Sequence, residues 1–147
     1  MEVKLIQPSE ALPLRHEILR PNQSLEDCKY PKDYEEESFH LGVFVEDHLI
    51  CVGSFYLEDH SDVPDGKVYR LRGMATWPEY RGQGAGTHLV SKAEEILSNR
   101  NADILWCNAR TSAQGYYDRL GFKQAGDVFD LPPIGPHVVS YKEIEKP

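Results

Sequence analysis

Residues 80–88 read Tyr-Arg-Gly-Gln-Gly-Ala-Gly-Thr-His, and no other stretch constrains the fold as tightly. The run follows an extended segment, Val68–Thr76, and opens a helical pattern. Leu89, Ala93, Ile96 and Leu97 share one face of that helix, with Lys92, Glu94 and Glu95 turned to water. Glycines at such a place leave the first-turn N–H groups uncovered, and the helix dipole favours an anion there. The expectation is a phosphate-bearing ligand, with Arg81 adding charge; the alternative is a plain tight turn that needs positive φ. Two common nucleotide motifs do not fit. After Gly82 and Gly84, the third position of a G-x-G-x-x-G fingerprint is Thr87, and no earlier βαβ unit precedes it. A Walker loop needs a lysine before Thr87, where Gly86 stands.

The rest of the chain alternates strands and helices. Residues 3–6 read as a first strand, and residues 9–19 as a weak helical pattern interrupted by Pro13. Residues 26–37 hold six acids, which read as a solvated face or loop. Residues 39–46 and 49–57 alternate apolar side chains and form a hairpin across Asp47-His48. Residues 104–109 read as a buried strand. Thr111 or Ser112 caps a short helix to Leu120, with Ala113, Tyr116, Tyr117 and Leu120 as its apolar face. Residues 122–130 and 138–144 close the chain as two strands. This order predicts an α/β (α+β) single domain over 1–147.

Charge narrows the partners. Sixteen Lys plus Arg against 24 Asp plus Glu give a net charge of −8, which argues against nucleic acid and anionic membranes. Cys28, Cys51 and Cys107 include no CxxC spacing, so neither a disulfide framework nor a metal site is expected, and a reducing compartment is. No apolar run approaches the roughly 18–20 residues of a membrane helix, and residues 1–8 carry no secretory pattern. The expected location is cytoplasmic.

Arg81-x-x-Gly84-x-Gly86, the strand 71–76 before it and Tyr117-Asp118-Arg119-Leu120-Gly121-Phe122 after it resemble the GNAT superfamily of acyl-CoA-dependent N-acetyltransferases. The match is close from about Val68 to Phe122. The resemblance implies a mixed, splayed, twisted sheet of about seven strands flanked by helices, with acetyl-CoA as co-substrate and no metal. It implies that the backbone of Met74, Ala75 and Thr76 pairs with the pantetheine amides. Arg81 and the amides of Gly82, Gln83, Gly84, Ala85, Gly86 and Thr87 would hold the pyrophosphate, with Asn108 a further cofactor contact. An asparagine common in the family seven residues before the tyrosine is Arg110 here.

Acetyl transfer needs a neutral amine, a stabilised oxyanion and a protonated leaving thiol. A lysine-like amine with pKa about 10.4 is neutral in about one molecule in 2,500 at pH 7, a cost of roughly 4.6 kcal/mol. A tyrosine at about 10 can protonate a thiolate at about 8.5 for roughly 2 kcal/mol. Tyr117 stands at the family's position for that acid; its alternative is a core aromatic, and Tyr116 is the core or pocket candidate. Met74 N–H is the implied oxyanion donor. Where many relatives carry a basic glutamate this chain has Arg70, so Glu58, Asp59, His60, His137 or a water chain could serve instead. Strict alternation puts Arg70, Arg72, Met74 and Thr76 on one face and Leu71, Gly73 and Ala75 on the other. Arg70 and Arg72 would then bind an acceptor carboxylate or phosphate, unless they pair with the chain's own acids. The expected enzyme acetylates a primary amine of a small molecule or protein in a ternary complex, and a homodimer is compatible with it. Rivals are a longer acyl-CoA, a hydroxyl acceptor, or a non-catalytic acyl-CoA-binding module.

Overall fold

The computed structural model describes residues 1–147. Its strands are β1 (Glu2–Leu5), β2 (Phe39–Val45), β3 (His48–Leu57), β4 (Val68–Thr76), β5 (Ile104–Arg110), β6 (Lys123–Leu131) and β7 (Gly135–Glu143). They form a seven-stranded mixed sheet in the order β1-β2-β3-β4-β5-β7-β6. Helices α1 (Pro8–Leu14), α2 (Ala85–Asn99) and α3 (Gln114–Arg119) connect them. β4 and β5 run parallel, with register from Val68↔Ile104 to Arg70↔Trp106. No helix is long and apolar enough to cross a membrane.

The chain divides into two compact units. The first joins Met1–Tyr56 to Leu71–Glu95. Its core packs Ile6, Ala11, Leu14, Val52 and Ala75 together, so α1 covers one face of the strands. Leu89 of α2 covers the other, reaching the place where Gly53 lacks a side chain. Burying a leucine of this kind stabilises by about 1.5–3 kcal/mol. The second unit joins Leu57–Arg70 to Ile96–Pro147, and its core holds Val63, Val68, Ile104, Trp106 and Val139.

Local chemistry moves several expected boundaries. The β2–β3 turn is Glu46-Asp47, one residue earlier than the sequence suggested, with φ of 48° and 67° and Val45 paired to His48. Two positive φ values make the turn that matches strand twist. The interrupted helix is α1 followed by one π-helical turn, Arg15–Leu19. Pro13 removes one ladder bond, and the helix widens directly after it. The Glu26–Glu37 stretch is not wholly solvated, because Asp33 is buried. Helix α3 follows a single 3-10 turn, Thr111–Ala113, without a side-chain cap, and buries no residue. Its expected apolar face is only partly covered: Ala113, Tyr117 and Leu120 are half-buried, Tyr116 is 36% exposed, and Phe122 beyond the helix is the buried aromatic.

One glycine changes the parity of β4. Gly73 has φ of +67°, a left-handed conformation that a regular strand residue does not adopt. Leu71 lies with Leu89 on the α2 side, whereas Ala75 packs with Ala11 and Leu14 of α1. Residues four apart in an unbroken strand would share a face. The expected common face of Arg72, Met74 and Thr76 is thus broken at the kink, and Thr76 turns toward Cys51 instead.

Candidate active site

In the first unit, the glycine turn ends at the head of α2. Gly82 and Gly84 have φ of +74° and +86°, so the tight-turn reading is true of both. The turn is open as well. A side chain at Gly82 would meet nothing within 4 Å, and one at Gly84 only His88 at 4.0 Å. Gly84 carbonyl accepts the first helical bond from His88 N–H at 3.0 Å. The N–H groups of Ala85, Gly86 and Thr87 precede any i−4 partner, and the first turn of α2 carries no acid to compete for them. Arg81 and Gln83 are exposed beside the turn, with Gln83 Nε2 donating to Glu79 carbonyl at 3.2 Å. The cradle is sterically and electrostatically suited to a phosphate.

β4 leads into that turn. Ala75 is buried and Met74 and Thr76 are half-buried. Thr76 Oγ1 donates to Cys51 Sγ at 3.2 Å, and burial pushes the Cys51 thiol up to about 11. Register with β5 stops at Arg70, so Leu71 to Thr76 lie beyond that pairing. Arg72 sits over the ring of Tyr30, 3.9 Å from its centroid.

Around Tyr30 lies a polar cluster that the sequence did not reveal. Arg15 and Asp33 form a buried two-pronged ion pair, Nη1–Oδ2 2.8 Å and Nη2–Oδ1 3.0 Å, with side chains 0% and 2% exposed. Arg15 also donates to Cys28 carbonyl, Ser54 Oγ and Tyr56 Oη. Tyr56 donates to Asp33 Oδ1 at 2.6 Å, and Tyr30 N–H to Oδ2 at 3.0 Å. Burial alone would raise the Asp33 carboxyl, but the bonds from Arg15, Tyr56 and Tyr30 outweigh it and hold it below the ordinary range. Burial pushes the Tyr56 phenol well above its ordinary value. Arg15 Nε remains buried without a partner. The partners of Arg15 stand 13, 18, 39 and 41 residues away, so no local spacing could have announced them.

The second unit holds the remaining predicted residues. Arg70 Nη1 meets Glu58 Oε2 at 3.1 Å, and its guanidinium lies 5.0 Å from the Trp106 ring centroid. That is the ion-pairing alternative, so the expected acceptor contact is not where Arg70 places its charge. Glu58 is engaged by the same bond. His60 packs edge-on to Trp106 at 4.7 Å and accepts Asp62 N–H at its Nδ1. His137 is buried, with Nδ1 2.8 Å from Gly135 carbonyl oxygen. Asn108 on β5 has a buried Oδ1 without a hydrogen-bond partner. An acceptor left this way costs about 1–3 kcal/mol, so it suits a ligand donor. Tyr117 is half-buried on α3, edge-on to Phe122 at 5.6 Å and to Tyr116 at 5.3 Å.

A groove of about 870 Å³ runs past Trp77, Pro78, Glu79 and Tyr80, with Glu17 and His48 on its walls. None of the residues singled out above for cofactor, acid or acceptor lines it.

The acetyltransferase (GNAT) family model matches residues 9–122. The uncharacterized N-acetyltransferase YitI of Bacillus subtilis (strain 168) is 46% identical over 144 residues, covering 98% of this chain and 97% of its own. Among solved structures, an aminoglycoside 6'-N-acetyltransferase complexed with coenzyme A superposes with a TM-score of 0.78 at 14% identity, over 100% and 99% of the two chains. Escherichia coli ElaA gives 0.74 at 20% identity, over 97% and 99%.

Proposed function

The chain belongs to the acetyltransferase (GNAT) family and is an acetyl-CoA-dependent N-acetyltransferase, and from that premise we propose that it transfers acetyl directly to a primary amine, with no covalent enzyme intermediate, as one domain over 1–147. The observation that carries the reading is the open glycine cradle at the head of α2, free of side-chain bulk and of acids.

In this reading Arg81 and the amides of residues 82–87 bind the pyrophosphate. The backbone of Met74, Ala75 and Thr76 pairs with the pantetheine amides, and Asn108 Oδ1 gains the donor it lacks. The amine attacks the thioester carbonyl, and the N–C bond forms as charge develops on oxygen beside Met74 N–H. The C–S bond then breaks, the amine gives up a proton to water, and the thiolate takes one from Tyr117, whose phenolate regains a proton from solvent. Arg72, which lies over the Tyr30 ring in the unit that carries the glycine cradle, is the acceptor-binding arginine in this reading, and Arg70 pairs with Glu58. The acceptor is a small-molecule or protein amine, and a cytoplasmic setting suits three free, buried cysteines.

Release of CoA thiol from acetyl-CoA with ethanolamine, lysine, glutamate, spermidine and a dipeptide tests this. Tyr117→Phe keeps the ring and removes the proton, so turnover should fall by about 10²–10⁴ while acetyl-CoA affinity stays within about twofold. Undiminished turnover in that variant returns Tyr117 to a structural role, and inert wild-type protein with every amine removes the enzyme reading.

A further inference from the structure

Gly73 is the point where the first unit gathers most of its unexplained polarity. A Cβ there would lie 3.0 Å from Tyr30 Cε2 and 3.3 Å from both Tyr30 Oη and Arg15 Nε. The missing side chain is what admits Tyr30, whose hydroxyl comes to rest against the backbone one residue before Met74. Tyr30 reaches this place from an irregular segment, yet the placement is firm. Its N–H donates to Asp33 Oδ2, and its carbonyl accepts Asp33 N–H at 3.1 Å. Three guanidiniums lie over its ring, those of Arg72, Arg15 and Arg20 at 3.9, 4.1 and 5.9 Å from the centroid.

The residue is 8% exposed. Tyr30 bonds the rest of the chain through its main chain and not through its hydroxyl. A phenol held rigidly at low exposure normally finds a partner for its oxygen or proton. We propose that the Tyr30 hydroxyl is a positioning group for the acceptor, its oxygen accepting an N–H of the attacking amine beside the Gly73 kink. This rests on the transferase reading, with Met74 at the point of transfer. The bond aims the nitrogen lone pair at the thioester carbonyl without itself moving a proton. The Arg15–Asp33 pair is what makes the aim reliable, because it fixes the segment that carries Tyr30.

Such a group changes the encounter of amine with thioester and leaves acetyl-CoA binding alone. Tyr30→Phe retains the ring against its guanidiniums and deletes only the hydroxyl. With the intact protein and the amine of the panel that wild type turns over fastest, kcat/KM should fall about 10- to 100-fold. The Kd for acetyl-CoA by calorimetry and the urea midpoint should stay close to wild type, the Kd within about twofold. Amine kcat/KM within twofold of wild type overturns the proposal alone. A parallel loss of acetyl-CoA affinity or a lowered urea midpoint overturns it too, because the hydroxyl would then be supporting structure. Wild type that is inert to the whole panel brings down the transferase reading, and this proposal with it.

Discussion

Two regions of the first unit use left-handed glycines for opposite ends. At Gly82 and Gly84 the missing side chains leave open space beside a helix N-terminus. At Gly73 the missing side chain is filled by Tyr30 and Arg15, both anchored to Asp33. The same backbone licence therefore gives an empty cradle in one place and a packed joint in the other. Emptiness suits a ligand with its own charge, such as a pyrophosphate. A packed joint suits fixing protein groups relative to the strand. The contrast predicts that substitutions at the joint cost stability first, whereas substitutions at the cradle cost ligand affinity first.

The largest effect should come from the joint. Asp33→Asn leaves the Arg15 guanidinium buried with no counter-charge, and breaking a buried pair in this way typically costs about 3–5 kcal/mol. The urea midpoint should fall accordingly, and a shift of less than about 1 kcal/mol would show that the cluster is not the fastening inferred from its geometry. The cradle should respond the other way. Gly84→Asp puts a carboxylate where the phosphates are proposed to sit, so CoA affinity by calorimetry should fall at least about 100-fold. Its folding cost should stay near the roughly 1–2 kcal/mol of a left-handed non-glycine residue. CoA binding at unchanged affinity would remove the cradle from the cofactor site.

The two arginines of β4 sharpen the same contrast at smaller scale. If Arg72 pairs with an anionic group on the acceptor, Arg72→Met should raise KM for an acidic amine about 10- to 150-fold and leave neutral amines nearly unchanged. Arg70→Met serves as the comparison. Its pair with Glu58 is partly exposed, with side chains 18% and 27% accessible, so its loss should cost no more than about 1 kcal/mol of stability. It should not discriminate between the amines. If both variants treat acidic and neutral amines alike, the acceptor class is open again.

What the sequence made legible follows from the range of the interactions. The glycine turn, α2 and the strand before it are local patterns, and β4 ran from Val68 to Thr76 as read. The tyrosine helix was placed correctly, but its burial was not. Periodicity at Tyr116 and Tyr117 signals an apolar face without saying what covers it, and here no residue of α3 is buried. Parity failed at Gly73 because alternation assumes an unbroken strand, and one positive φ reverses it. The Arg15 cluster was invisible because charged residues in an acidic stretch read as solvated. Only the fold brings Asp33, Ser54 and Tyr56 to one guanidinium.

The smallest effect concerns the far side of that cluster, where His40 ties β2 to Asp33. A carbonyl oxygen can only accept, so His40 Nε2–H donates to Asp33 carbonyl at 2.9 Å. Nδ1 is then the acceptor for the Ser54 hydroxyl at 2.7 Å. Burial lowers the imidazole pKa below its ordinary 6.5, outweighing the upward pull of Asp33. The unfolded chain thus binds this proton more readily than the folded one, so acid favours unfolding. Stability from this group is whole above pH 6.5 and declines as pH falls below it, by up to about 1.4 kcal/mol per pH unit until the folded form also protonates. Asp33 acts in the same direction at lower pH, because its carboxyl lies below its ordinary 3.8 and loses its contribution only beneath that value. Urea midpoints measured from pH 8 to pH 5 should therefore slope downward in wild type. In His40→Asn, which cannot titrate, the slope should be shallower even if the variant is weaker at every pH. Parallel curves would mean that the acid sensitivity lies elsewhere, and that the joint is fastened by Arg15 and Asp33 without help from the neutral imidazole.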